Sequence, residues 1–159
     1  MSGKLYFPKS HNLQEITRVQ EMNITLAVMR LRSCNLPHDF FGLANGEIEK
    51  ITVLIDHGMR GTTEGHSSVI HPYRVLISPT IGFGLISRSG LVENNQHEMS
   101  IIIHELTHLA QMRNPIKFAI GNLPGINIYM NEKWANENQQ AAYDALVDIA
   151  YGENKWSAG

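Results

Sequence analysis

Cysteine is nearly absent from this chain. Cys34 stands alone, so no intramolecular disulfide can brace the fold, and stability must come from a packed core. Long apolar runs are missing too. None approaches the ~20 residues that a membrane-crossing helix requires, and no membrane partner is expected. There is no dense run of Lys or Arg, and the formal net charge is −2. Nucleic acid and anionic lipid therefore have no electrostatic footing as partners. The stretch from Met1 to Ser10 is short and broken by Pro8, so it does not read as a secretory signal. A reducing cytoplasm is the expected compartment. Repeats, low-complexity tracts and interdomain linkers are also lacking. At 159 residues the chain is read as one domain, 1–159. That length buries about two-thirds of the surface its unfolded form exposes.

What the chain does have is His104-Glu105-Leu106-Thr107-His108, an H-E-x-x-H run flanked by Ile101, Ile102, Ile103, Leu109 and Ala110. At this composition the pattern is expected about 0.03 times by random placement, so coincidence is a poor explanation. Two histidines four residues apart lie on one face of an α-helix and can reach one metal ion. The glutamate beside the first histidine projects next to that ion. There it can take a proton from water and pass it on. Asn95 with Glu98 has the form of a capping box, and Arg113 followed by Asn114-Pro115 ends the segment, so a helix is predicted over about 95–113. Two imidazoles and a carboxylate inside an apolar helix need partners, because unpaired buried polar groups cost several kcal/mol. The plainer alternative is an amphipathic helix whose histidines make ordinary hydrogen bonds.

A catalytic zinc usually takes three protein ligands and keeps a fourth position for water. The metzincin extension of the motif is absent: Gln111 fills its glycine position and Asn114 its last histidine position. No histidine follows His108, so a downstream carboxylate is the natural third ligand. Glu132, Glu137, Asp144 and Asp148 are the candidates, on a helix predicted over about 127–151. The face of residue 132 continues through Ala135, Gln139, Ala142 or Tyr143, Leu146 and Ala150, which is mostly apolar. The face of residue 137 continues through Gln140, Asp144, Asp148 and Tyr151, which is mostly polar. Glu132 should point inward and Glu137 toward water, with Glu137 as the alternative ligand. An acid in the first turn of a helix is also favoured there by the helix dipole alone.

Glu132-Lys133-Trp134-Ala135-Asn136 reads E-x-x-A-N. H-E-x-x-H followed some two dozen residues later by this run resembles the gluzincin-type zinc metallopeptidases, and the ImmA/IrrE-type peptidases in particular. Thr107 stands where motifs of that type often carry glycine. The resemblance covers the two helices only. It implies His104, His108 and Glu132 as Zn²⁺ ligands and Glu105 as catalytic acid/base. It also implies Asn136 as the residue that orients a ligating imidazole. The substrate would be a protein or peptide, and a restricted target is expected because a small domain offers a short cleft. Two other readings stay open: a non-catalytic or regulatory zinc-binding module, and a zinc hydrolase acting on a non-peptide amide. Oligomeric state is not legible.

The rest of the chain supplies a scaffold. Asn12 with Glu15 offers a capping-box start. Leu13, Ile16, Ile24, Ala27, Val28 and Leu31 recur at helical spacing, so a helix is predicted over about 12–34. Ile48–Asp56 and Tyr73–Ile77 alternate like strands. Residues 56–66, with three glycines, read as an exposed loop or long hairpin turn, and residues 79–94 as the place for a short third strand. The expected fold is α+β and minimal zincin-like: N-terminal helix, small mostly antiparallel sheet, H-E-x-x-H helix, C-terminal ligand helix. In that fold an edge strand borders the cleft. Residues 115–130, with Gly121, Pro124 and Gly125, should be a loop near the cleft. Tyr129, Tyr143, His57, His66, His71 and His97 are polar or aromatic neighbours for which packing or surface roles are favoured over catalysis.

Overall fold

The first helix shows how local chemistry and distant pairing share the chain. In the computed structural model, residues 8–32, 34–38, 50–59, 61–68, 70–87, 95–113, 116, 119 and 130–157 are described, with 130 and 151–157 as backbone only. Residues 10–12 form one 3₁₀ turn, and Leu13–Glu15 is a strand, β1. Helix α1 then runs Arg18–Leu31. The helix predicted from residue 12 is thus corrected. Leu13, Gln14 and Glu15 pair antiparallel with Asp56, Ile55 and Leu54, which draws them into the sheet. The cap is Thr17, whose hydroxyl accepts from the Gln20 N–H at 3.2 Å, instead of Asn12. Ile24, Ala27, Val28 and Leu31 form the buried face of α1, at the spacing expected.

Strands β2 (Thr52–Asp56), β3 (Gly65–Ser68) and β4 (His71–Ile77) complete a four-stranded sheet in the order β1-β2-β4-β3. The outer pairings are antiparallel and the central β2–β4 pairing is parallel. The strand expected from Ile48 begins at Thr52, and residues 48–49 lie outside the described set. The predicted loop stops at Glu64, because Gly65, His66 and Ser67 pair with Ile77, Leu76 and Val75. This hairpin makes β3 an edge strand, with β4 inserted between it and β2.

Residues 79–87 are a helix, α2 (Pro79–Ser87), where a strand was expected. Ser78 Oγ accepts from the Ile81 N–H at 3.3 Å, and Pro79 follows it in the first turn. The glycines that suggest a loop serve packing instead. A Cβ on Gly82 would overlap the Ile55 side chain, and one on Gly84 would overlap the Glu98 carboxylate.

Helix α3 (Gln96–Met112) matches the predicted span within a residue. Its capping box does not form. Asn95 occupies the cap position, but its side chain makes no capping bond, and Glu98 is turned into the protein against Gly84. Met99, Ile102, Ile103, Leu106 and Leu109 join Val53, Ile55, Val75, Ile77, Leu31 and Leu85 in the core. Helix α4 (Met130–Ser157) is longer than predicted and buries Ala135, Ala142, Leu146 and Ala150, the stripe read from the sequence. The fold is α+β as expected, but the order of elements differs in two places: β1 precedes the first helix, and α2 stands between the sheet and the motif helix. Among the described residues no helix is long and apolar enough to cross a membrane. The segment joining α3 to α4 falls almost wholly outside the described residues, as does Tyr129.

Candidate metal centre

Helix α3 is buried on nearly every side from Glu98 to Thr107, so the core fixes its rotation. One face carries His104 and His108 toward α4. Their rings sit 4.9 Å apart, centroid to centroid, edge to face, with side chains only 11% and 13% exposed. Glu132 reaches them from the first turn of α4. Its Oε1 lies 2.9 Å from His104 Nε2 and its Oε2 lies 3.0 Å from His108 Nε2. One carboxylate therefore straddles both imidazoles. A donor atom from each of the three residues lies within 4.8 Å of the other two.

That donor set fits a zinc ion. Two imidazole nitrogens and one carboxylate form a ligand type found at catalytic zinc, and three protein ligands leave a fourth position open. Both Nε2 atoms face the same carboxylate, so the ring edges that would bind metal already converge. Glu105 is buried next to them, its Oε2 3.9 Å from His104 Nε2.

Edge strand β3 holds Glu105 from the other side. Ser67 donates its hydroxyl proton to Glu105 Oε1 at 3.0 Å. A Cβ on Gly65 would come within 2.9 Å of the Glu105 side chain, so the glycine makes room for it. Burial raises the Glu105 pKa above the ordinary carboxylate value. His108, His104 and the Ser67 bond oppose that rise, and the negative Glu132 adds to it. Glu132 is held well below the usual carboxylate range by its bonds to His104 and His108, against the effect of burial. Burial alone would lower His108. The Glu132 bond, the Glu105 charge and the Gln111 bond outweigh it, and the net shift is upward. Glu132 thus stays ionised between the two histidines.

Compared with known proteins, the chain matches no family model, no curated protein and no solved structure. The chemistry is therefore read from the site itself.

Of the four candidate acids, Glu132 is the one placed at both imidazoles. Glu137 turns to His38, 3.5 Å from its Nε2, and Asp144 accepts from Gln140 at 3.1 Å on the exposed side of α4. Asp148 is exposed. Asn136 is exposed as well, in an open groove with Glu132, Lys133, Glu137 and Gln140. Among the described residues no hydrogen bond joins it to either imidazole. His108 Nδ1 bonds instead to Gln111 Oε1, at 2.8 Å.

Among the described residues none of the other histidines joins the ligand group, although His66 feels the charge of His108. His57 Nε2 meets Gln14 Oε1 at 2.7 Å, and His97 Nε2 lies 3.3 Å from Glu64 Oε2. His71 is exposed at the start of β4. His66 is half-buried on β3, and burial, then the nearby Arg74 charge, lower its pKa against the opposing pull of Asp56. Tyr143 is 39% exposed on α4.

Three contributors escape the sequence reading. Ser67 carries no local signal, since only the β3–β4 pairing brings it to Glu105. Gln111 could be found, because it lies three residues past His108 and such pairs meet on a helix. Asn138, fully buried, follows Ala135 and precedes Ala142 at helical spacing. Its amide donates to Thr107 Oγ1 at 3.1 Å and to the His38 carbonyl at 2.8 Å, and accepts from the His38 N–H at 2.9 Å.

Proposed function

We propose that the chain is a zinc-dependent peptidase of the gluzincin type, acting on a protein or peptide substrate. The observation that carries the reading is the carboxylate of Glu132 spanning His104 and His108, with buried Glu105 alongside. His104, His108 and Glu132 would hold the ion. When bound, zinc supplies a Lewis acid that acidifies water and polarises a carbonyl. Glu105 takes the proton of the attacking water at its carboxylate and hands it to the amine nitrogen of the leaving group. Ser67 fixes the Glu105 side chain during that transfer. A site meant only to hold metal has no use for Glu105, buried and hydrogen-bonded where it faces the ligands, which favours catalysis over a structural zinc.

The test compares wild-type, His104→Ala, Glu132→Ala and Glu105→Gln proteins. Zinc content is measured by inductively coupled plasma mass spectrometry, and cleavage of a diverse peptide library by mass spectrometry of the products. Wild type and Glu105→Gln should each hold about one zinc per chain, and the two ligand variants should lose most of it. Cleavage should fall by about 10²–10⁴ in Glu105→Gln. A zinc-loaded Glu105→Gln protein that cleaves at the wild-type rate would remove the proposed role of Glu105. A wild-type protein that takes up no zinc would remove the whole reading.

A further inference from the structure

We infer that Gln111 is the positioning residue of the centre, setting the ring orientation and tautomer of His108 and tying it to the helix that carries Glu132. This rests on the zinc site proposed above. The resemblance gives the orienting role to Asn136, and the geometry points elsewhere.

Gln111 bridges the two helices with both ends of its amide. Its Nε2 donates to the Asn131 carbonyl at 3.1 Å, and its Oε1 faces His108 Nδ1 at 2.8 Å. The carbonyl of Asn131 accepts only, so the amide nitrogen must point at it. The amide oxygen is then committed to His108, and it too only accepts. His108 Nδ1 must therefore carry the proton and donate it. Nε2 shares its own proton with Glu132 at 3.0 Å; a metal ion would take the place of that proton, and the Nδ1 proton held by Gln111 would keep the remaining neutral ring in the tautomer that binds through Nε2. Asn131 immediately precedes Glu132, so the same amide that turns the imidazole also anchors the backbone next to the third ligand. His104 has no counterpart: its Nδ1 is buried without a hydrogen-bond partner among the described residues. His108 is the ligand the protein has prepared in advance, and Gln111 prepares it.

The experiment measures zinc affinity by competition with a chromogenic chelator. Proteins compared are wild type, Gln111→Ala, Gln111→Met, Gln111→Glu and Asn136→Ala. Partners of this kind change metal affinity by about 10–100-fold when removed, and that loss is expected for both Gln111→Ala and Gln111→Met. Two variants of different bulk keep the result readable if one folds poorly. Gln111→Glu retains an acceptor for the Nδ1 proton and loses the donor to Asn131. It should bind zinc within about threefold of wild type or more tightly. Asn136→Ala should bind as wild type does. In zinc-loaded wild type the His108 Nδ1 proton should give a slowly exchanging downfield NMR resonance that Gln111→Ala lacks. Wild-type affinity in both Gln111→Ala and Gln111→Met overturns the inference and leaves the zinc site standing. A Gln111→Glu protein as weak as Gln111→Ala also overturns the proposed setting of the His108 ring, because the bridge to Asn131 alone would then carry the effect. Absence of zinc binding in wild type overturns the site and the inference together.

Discussion

The two helices that carry the candidate ligands are built in opposite ways. Helix α3 is enclosed by the core, and its histidine side chains are 11% and 13% exposed. Helix α4 buries one narrow stripe of mostly small residues, Ala135, Asn138, Ala142, Leu146 and Ala150, and its Glu132 side chain is 52% exposed. Two candidate ligands are thus fixed by packing, and the third is delivered by a helix that meets the core along a seam. The seam is pinned by polar contacts between the helices: Asn138 to Thr107 within the motif, and Gln111 to the backbone before Glu132.

The largest effect should come from breaking the rigid side. Ile103 is fully buried and immediately precedes His104 on α3. Ile103→Ala should destabilise the metal-free protein by about 2–5 kcal/mol in urea unfolding, from lost burial and the cavity left behind. A loss under about 1 kcal/mol would mean that α3 is not the fixed member of the pair.

Zinc should act on the seam. An ion bound by residues of both helices stabilises the folded state by about 2.7 kcal/mol at a free concentration one hundred times its dissociation constant. Thermal unfolding of wild type should rise accordingly. Glu132→Ala at the same zinc concentration should rise far less, since the remaining ligands belong to α3 alone. Equal shifts in both proteins would show that α4 contributes nothing to the bound state.

Asn138→Ala tests the polar pin. It leaves the His38 backbone groups and the Thr107 hydroxyl without their amide partner, at a fully buried position, and should cost about 1–3 kcal/mol. Thr107 still donates to the Ile103 carbonyl at 2.8 Å, so α3 itself should remain folded. Circular dichroism through urea unfolding checks the size of the loss. A neutral result would assign the seam to alanine packing alone.

The same contrast decides how much of the molecule was legible beforehand. The C-terminus of helix α3 was legible in its terminating Asn-Pro; its start fell at Asn95 as read, although the capping box that suggested it does not form. Helical phase set Glu132 on the side of α4 that meets the motif helix, where it reaches both imidazoles while staying half-exposed. Where structure depends on distant pairing, the local pattern misleads. Gly65-His66-Ser67-Ser68 has no apolar alternation, and it becomes a strand through β4. Leu13–Glu15 looks like the start of a helix until β2 claims it. Gly82 and Gly84 look like loop residues because the side chains that need their space, Ile55 and Glu98, come from other elements. Asn136 was assigned through resemblance, whereas the bond to His108 is made by Gln111, whose i, i+3 spacing was readable in the chain.

The smallest effect should fall on the outer face of α4. Gln140 donates to Asp144 at 3.1 Å across one exposed turn. Side-chain pairs of this spacing are worth about 0.2–0.5 kcal/mol, and alanine's higher helix propensity recovers part of that. Gln140→Ala should therefore shift stability by less than about 0.5 kcal/mol, with zinc affinity unchanged. The variant is informative because α4 is argued to touch the rest of the fold along its other side. If Gln140→Ala cost about 1.5 kcal/mol or more, its face could not be merely solvated, and some other part of the protein or a second copy would have to cover it. The third ligand would then be held from both sides, and the difference between the two helices would vanish.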